Sequence, residues 1–433
     1  MAVKLIRLAA KRIRSARVRH FFQELGPGLT SGAADDDPSG ISTYSVTGAS
    51  FGYGQLWTAL FSFPLMAAVQ LMCARLGMVT GQGLAGVVRR RYSAPVLWSA
   101  CALLIVANVF NIGADLGGMA EVTQMTTGVS AFVWLPLFTV GIVVLLVWLN
   151  YKRIAQIFKW LTLVLFAYII AAFLAHPRWS DVLKATFVPQ INWDATYLAT
   201  FLGVLGTTIS PYLFFWQAAQ EVEEERKIGR KTVHARRGAT DKELATARTD
   251  VLTGMAFSNL VMYFIILTTG ATLYVSGHRN IGTAREAAEA LRPLAGEGAY
   301  ALFALGLIGT GMLGVPVLAG SAAYAISEAM HWRGSLSDQP RKAPKFYAVL
   351  AIALMLGLVL NFLKINAVRM LFWSAVLNGA LAPPLVVLVT LLSSDRKTME
   401  SRISNPLLQV LGWLTAIVMS LATVVMIVLW LKG

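Results

Sequence analysis

Long apolar stretches alternate with short runs of charged, Pro and Gly residues along almost the whole chain. A helix needs about 20 mainly apolar residues to cross the bilayer core. On that measure the pattern predicts eleven spans, near 25–52, 55–80, 95–122, 131–150, 154–175, 196–226, 248–276, 299–328, 346–363, 367–392 and 406–431. The expected fold class is therefore all-α, a polytopic membrane protein built as one bundle.

Two of these spans are interrupted. The first carries Asp35, Asp36 and Asp37 followed by Pro38, Ser39 and Gly40, and the sixth carries Thr207 to Tyr212 with Pro211 at its middle. Pro removes a backbone donor and stops a helix, which leaves carbonyls free to face a bound ion. An ionised Asp at membrane depth is expensive and persists where it binds something. Helices broken at matching positions five spans apart point to an inverted repeat with a cation site near the midplane. Spans one to five (25–175) would form the first repeat and spans six to ten (196–392) the second. Residues 406–433 would add an eleventh span, and residues 1–24 a basic cytoplasmic lead-in. The plain alternative is that Pro38 and Pro211 are ordinary kinks.

Composition supports the membrane reading. Of 433 residues, 56% are hydrophobic and 14% charged, with a mean hydropathy of +0.62; soluble domains carry about a quarter charged residues. The basic N-terminus lacks the apolar core and cleavage site of a signal peptide. Cys73 and Cys101 both fall in apolar segments, so no disulfide framework is expected. The net charge of +15 invites a nucleic-acid reading, but its placement argues for topology. With the N-terminus inside, cytoplasmic segments hold roughly 27 of the 37 Lys and Arg residues, against roughly eight outside. The expected setting is the plasma membrane, with an anionic inner leaflet facing the basic ends and no nucleic-acid partner. The acidic run Glu221 to Glu225 reads as a solvated cytoplasmic helix end, except that Glu221, near the inner end of the second broken helix, is expected to face an exit vestibule; His278 to Gly298 reads as an outer surface helix.

The stretch LGPGLTSGAADDDPSGISTYSVTGASFGYGQLW resembles the first span of the Nramp family of divalent-metal transporters, with its Gly-Pro-Gly entry, Asp-Pro break and Phe-Gly-Tyr exit. Span order and count agree over nearly the whole chain. The resemblance implies a leucine-transporter-like inverted 5+5 repeat with broken helices 1 and 6, and a transported metal held at the breaks. On that alignment Asp37 is retained. The family's metal-binding Asn falls on Gly40 and its Met on Ser210. The carbonyl ligand falls on Thr207, a polar residue near the metal on Asn378, and the two proton-associated His on Tyr212 and Gln217. The implied metal site is thus Asp37, Gly40, Thr207, Ser210, Asn378 and Gln217. The third-span Asp-Leu-Ala-Glu falls on Asp115, Leu116, Gly117 and Gly118, without the Glu. These departures are similar to the Nramp-related magnesium transporter branch.

Chemistry gives the substitutions a direction. A thioether favours transition metals, and Ser210 in its place removes a bias against hard ions. Mg²⁺ sheds water reluctantly and is held by one or two carboxylates plus retained waters, so the smaller Gly40 and Ser210 suit a partly hydrated ion; Mn²⁺ should enter too. Each residue also has a structural alternative: Gly40 serving the chain break, Ser210 bonding a freed carbonyl, Asn378 and Gln217 joining helices, Asp115 pairing with a polar neighbour. Successive helical residues point about 100° apart, so Asp35 and Asp36 are not expected to face the same ion as Asp37. The chain has five histidines, all placed at span ends or in loops, and transport without proton coupling is expected. The rivals are a proton-coupled Mn²⁺/Fe²⁺ importer, a sodium-coupled organic-solute transporter and a channel. No enzymatic motif, catalytic residue or cofactor is implied, and the expected unit is a monomer.

Overall fold

The structure is a computed structural model that describes residues 26–148, 163–363 and 365–432. The described residues are helical, with no strand among them. The principal helices are α1 (Pro27–Asp35), α2 (Pro38–Phe51), α3 (Trp57–Thr80), α4 (Leu84–Arg91), α5 (Ala94–Thr127), α6 (Ala131–Trp148), α7 (Phe166–Leu174), α8 (Trp179–Phe187), α9 (Ala195–Thr208), α10 (Pro211–Lys227), α11 (Asp241–Thr269), α12 (Ala299–Ala329), α13 (Pro344–Leu360), α14 (Ala367–Ser394) and α15 (Pro406–Lys432).

Among the described residues nine helical segments are long and apolar enough to cross a membrane. The first predicted span is not one of them because its break divides it into helices of 9 and 14 residues. Much of the fifth falls on residues 149–162, outside the described residues, as does the N-terminal lead-in. The sixth span is also divided, with α9 ending at Thr208 and α10 starting at Pro211. Pro occupies the first position of both α2 and α10, where its missing N–H costs nothing.

Burial ranks the helices by position. In the sixth span 94% of the apolar window is buried, against 22% in α6 and in α15. The broken span therefore runs through the middle of the bundle, and α6 and α15 lie at its lipid-facing rim. α12 packs along α5, α11 along α1, and α14 along both α9 and α15. Two of these contacts are backbone to backbone. A Cβ added to Gly32 would fall 2.2 Å from the Gly254 carbonyl oxygen, and one on Gly206 would fall 2.1 Å from that of Ala375. Small residues at helix crossings permit such approach in membranes.

The acidic end of α10 differs from the solvated helix expected there. Glu221, Glu223 and Glu225 are each no more than 5% exposed, as is Arg236 in the following loop. The reason is pairing: Glu223 accepts from Ser335 and Arg226, and Arg230 joins Glu225 to Glu243. The segment His278 to Gly298, expected to be helical, is so through Ala284–Ala288 and short turns after it.

Candidate metal site at the helix breaks

Asp37 is the N-cap of α2, set in extended backbone where the first span loses its turn. Its Oδ1 accepts the Gly40 N–H and the Ser39 hydroxyl, each at 2.8 Å. Its Oδ2 accepts Asn111 Nδ2 from α5 at 2.7 Å, and the Tyr212 hydroxyl stands 3.5 Å away. That hydroxyl donates to the Ala34 carbonyl at 3.0 Å, which joins the second broken span to the end of α1. The carboxylate is only 2% exposed, and the Asp37 Cβ lies 3.0 Å from where a Cβ on Gly314 of α12 would stand. Asp37 is thus closed off from both sides, and its negative charge is met by neutral donors.

The other expected residues divide into two groups. Gly40 lies against Asp37: its N–H is one of the four donors, and its missing side chain leaves space between the Asp35 carbonyl, the Tyr44 ring edge and Asp37 Oδ1. Ser210 caps the end of α9 by donating to the Gly206 and Thr207 carbonyls at 2.9 and 2.6 Å, so the Thr207 carbonyl already has one donor. This is the structural alternative for Ser210. Asn378 is 1% exposed on α14 and neither of its polar atoms has a partner. Its neighbour Gly379 touches Gly206, one residue before Thr207, so Asn378 stands at the level of the second break.

Gln217 belongs to a different place. It accepts from Ser31 of α1 at 2.6 Å and donates to Glu221 at 2.8 Å, two turns into α10. The α10 register carries it away from the break, and the structure joins it to the inner half of α1 instead of to Asp37. Glu221, expected to face an exit vestibule, is its buried partner. Asp115 stands beside the Ser39 amide, yet neither of its oxygens completes a hydrogen bond.

Asp35 and Asp36 turn to a partner other than those of Asp37. Asp36 lies outside the helix, with φ −83° and ψ 52°, so the 100° separation of successive helical side chains does not hold. Both carboxylates converge on one hydroxyl: Ser258 Oγ lies 2.6 Å from Asp35 Oδ2 and 3.2 Å from Asp36 Oδ1.

Three contributors were not identified from sequence. Asn111 carried a signal, an amide inside an apolar span, as did Ser258 more faintly. Asp250 carried none. It lies at a predicted span edge, but its two oxygens accept the N–H groups of Gly26, Gly28 and Leu29 at 2.9, 2.6 and 3.1 Å. It caps α1 from α11.

Among the described residues, no three His, Cys, Asp or Glu side chains gather as a metal cluster. A cation here would meet one carboxylate and a set of amide, hydroxyl and carbonyl oxygens. The family pattern described as natural resistance-associated macrophage protein-like matches residues 28–429. The chain belongs to the Nramp family. Similar curated members include the divalent metal cation transporter MntH of Klebsiella pneumoniae, 26% identical over 408 residues and covering 92% of each chain. MntH of Erwinia tasmaniensis is 28% identical over 313 residues, covering 71% of this chain and 72% of its own. These Nramp relatives are transporters by name, in line with the expectation that the chain is not an enzyme.

Among solved structures, the manganese transporter of Eremococcus coleocola, determined with an aromatic bis-isothiourea compound, superposes with a TM-score of 0.76 at 19% identity, covering 94% of this chain and 86% of that one. The nucleobase-cation-symport-1 transporter Mhp1, in a closed conformation, superposes with a TM-score of 0.57 at 15% identity, covering 94% and 92%. At such identities the likeness concerns fold. This Nramp chain has the leucine-transporter-like architecture with broken first and sixth spans.

Proposed function

We propose that the chain carries divalent metal cations across the plasma membrane by alternating access, chiefly Mg²⁺ with Mn²⁺ as a second cargo, and without coupled proton movement. The observation that carries this reading is Asp37, a buried carboxylate at the break of the first span, surrounded by oxygen and amide groups. Sulfur ligands are absent from its partners, since Ser210 stands where the Nramp pattern has Met. Hard oxygen donors with one carboxylate suit Mg²⁺ and Mn²⁺ better than softer metals. The printed names of the relatives, divalent metal cation and manganese transporters, support the wider class.

In this reading an ion enters from outside while still partly hydrated. It replaces the Asn111 and Ser39 donors on Asp37 and meets the Thr207 carbonyl, with Gly40 leaving room and Asn378 ordering a bound water. Release inward requires α1 to leave α11, which breaks the Asp250 cap and the Ser31–Gln217 bond. Residues 25–175 and 196–392 would act as the two repeats, with the N-terminus cytoplasmic and the unit a monomer. The membrane potential alone favours inward movement of a divalent ion by about 4.6 kcal/mol per 100 mV. The four histidines among the described residues, His176, His234, His278 and His331, all lie beyond the ends of the helices that meet at the breaks. A proton-coupled Mn²⁺/Fe²⁺ importer is the second reading, favoured by the buried, unpartnered oxygens of Asp115.

The test is Mg²⁺ uptake into proteoliposomes by the wild type and Asp37→Ala, with internal pH recorded in parallel. Uptake by the wild type, its loss in the variant and a flat pH trace are expected. Acidification that tracks metal entry would establish the second reading, and full uptake by Asp37→Ala would remove Asp37 from the site.

A further inference from the structure

We infer that Asp35 and Asp36 form a second divalent-cation site, separate from that at Asp37, so that the midplane holds two cations at once. The inference rests on the metal-transport reading above and extends it.

Hydrogen-bond supply separates the two places. Asp37 has three close donors and the Tyr212 hydroxyl besides. Asp35 and Asp36 together present four oxygens to one hydroxyl proton, that of Ser258. Asp35 Oδ1 and Asp36 Oδ2 have no partner, although each residue is 1% exposed. Buried acceptors are normally satisfied, and a buried charge left unpaired costs several kcal/mol.

A second, independent group faces the same space. The Tyr44 hydroxyl is fully buried and completes no close hydrogen bond, with the Thr207 side chain beside it. Tyr44 lies on α2 one turn beyond Gly40, and long helical side chains lean back toward the N-terminus. Its ring edge and the Asp35 carbonyl both stand 3.4 Å from the position a Cβ on Gly40 would take. Three oxygens without a hydrogen-bond partner thus come from α1, its unwound end and α2, all close to the first break. Two carboxylates with neutral oxygens and retained water match the way Mg²⁺ is commonly held.

Charge balance points the same way. Asp35, Asp36, Asp37 and Asp115 are each no more than 2% exposed. Every ion pair recorded among the described residues lies elsewhere, so none of the four has a basic partner there.

The test counts ions. Purified full-length protein in lipid nanodiscs, in sodium-free buffer, is dialysed against Mn²⁺, and bound metal is measured per chain. Two ions are expected for the wild type, and one each for Asp35→Asn/Asp36→Asn and for Asp37→Asn. A wild-type count of one, or a double variant that still binds two, overturns the inference. A measurement without variants covers poor folding: two neighbouring Mn²⁺ ions broaden each other's EPR spectrum, and an unbroadened signal at saturation refutes a paired site. Failure of Asp37 in uptake assays concerns the proposed function alone, because the count at Asp35 and Asp36 is read independently of transport.

Discussion

Asn111 Nδ2 donates to Asp37 Oδ2 at 2.7 Å, so the third span holds the carboxylate at the break of the first. The other amide atom, Asn111 Oδ1, is buried and has no partner. Turning the amide over exchanges a donor for an acceptor at the carboxylate, which is the change an arriving cation requires.

Asn111→Ala removes both that orientation and that oxygen. With the amide turned over, its oxygen accepts from a cation-bound water, a hydrogen bond to a charged group that contributes about 1.5–3 kcal/mol in the bound state, and about 1.4 kcal/mol is tenfold in affinity. A rise of at least about tenfold in the KM for Mg²⁺ uptake is expected. A fall in KM would show instead that the amide only competes with the metal.

Ser210→Met restores a thioether at the second break. Mg²⁺ uptake should fall relative to Mn²⁺ uptake by about tenfold or more, because the sulfur favours the softer ion and fills the space of a retained water. Ser210 is 1% exposed, so overpacking should also cost about 1–3 kcal/mol of stability. Competition between the two metals in proteoliposomes measures the ratio, and an unchanged ratio would separate Ser210 from selectivity.

Asp250→Ala strips three N–H groups of α1 of their acceptor. Loss of a helix cap costs about 0.5–2 kcal/mol, here charged against the state in which α1 is docked. The α1 helix should leave α11 more often. Labelling of Ser31→Cys by a water-soluble thiol reagent from the cytoplasmic side should quicken when Asp250→Ala is added. Both native cysteines are buried, which keeps the background low. Equal labelling rates would mean that Asp250 does not latch α1.

Gly32→Ala drives a methyl into the Gly254 carbonyl, a 2.2 Å contact that only backbone movement relieves. Thermal unfolding in detergent should begin several degrees lower, in line with about 1–3 kcal/mol of overpacking. An unchanged midpoint would show that the α1–α11 seam is loose.

Legibility followed the range of the interactions. The breaks at Asp37 and Pro211 were readable because Pro and Gly act on their own backbone. Gly40 beside Asp37 was readable for the same reason, being three residues away along one chain. Gln217 was expected beside the ion, and its partners Ser31 and Glu221 were not legible because alignment to a motif does not fix which side of α10 a residue occupies. The acidic run at Glu221 to Glu225 looked solvated because its partners Ser335, Arg230 and Glu243 lie on other segments.

Asp35 and Asp36 show the limit most clearly. The 100° rule holds for helical residues, and the chain unwinds at Asp36, two residues before Pro38. Hydropathy and the local chemistry of Pro, Gly and charge determined by themselves that this chain spans a membrane, breaks two of its helices and buries carboxylates at one break. Which donors those acids receive, and that Asn111, Ser258 and Asp250 supply or accept them, was decided by helix packing. Those partners lie from 74 to more than 200 positions away, and no local periodicity encodes a contact made only when distant helices close together.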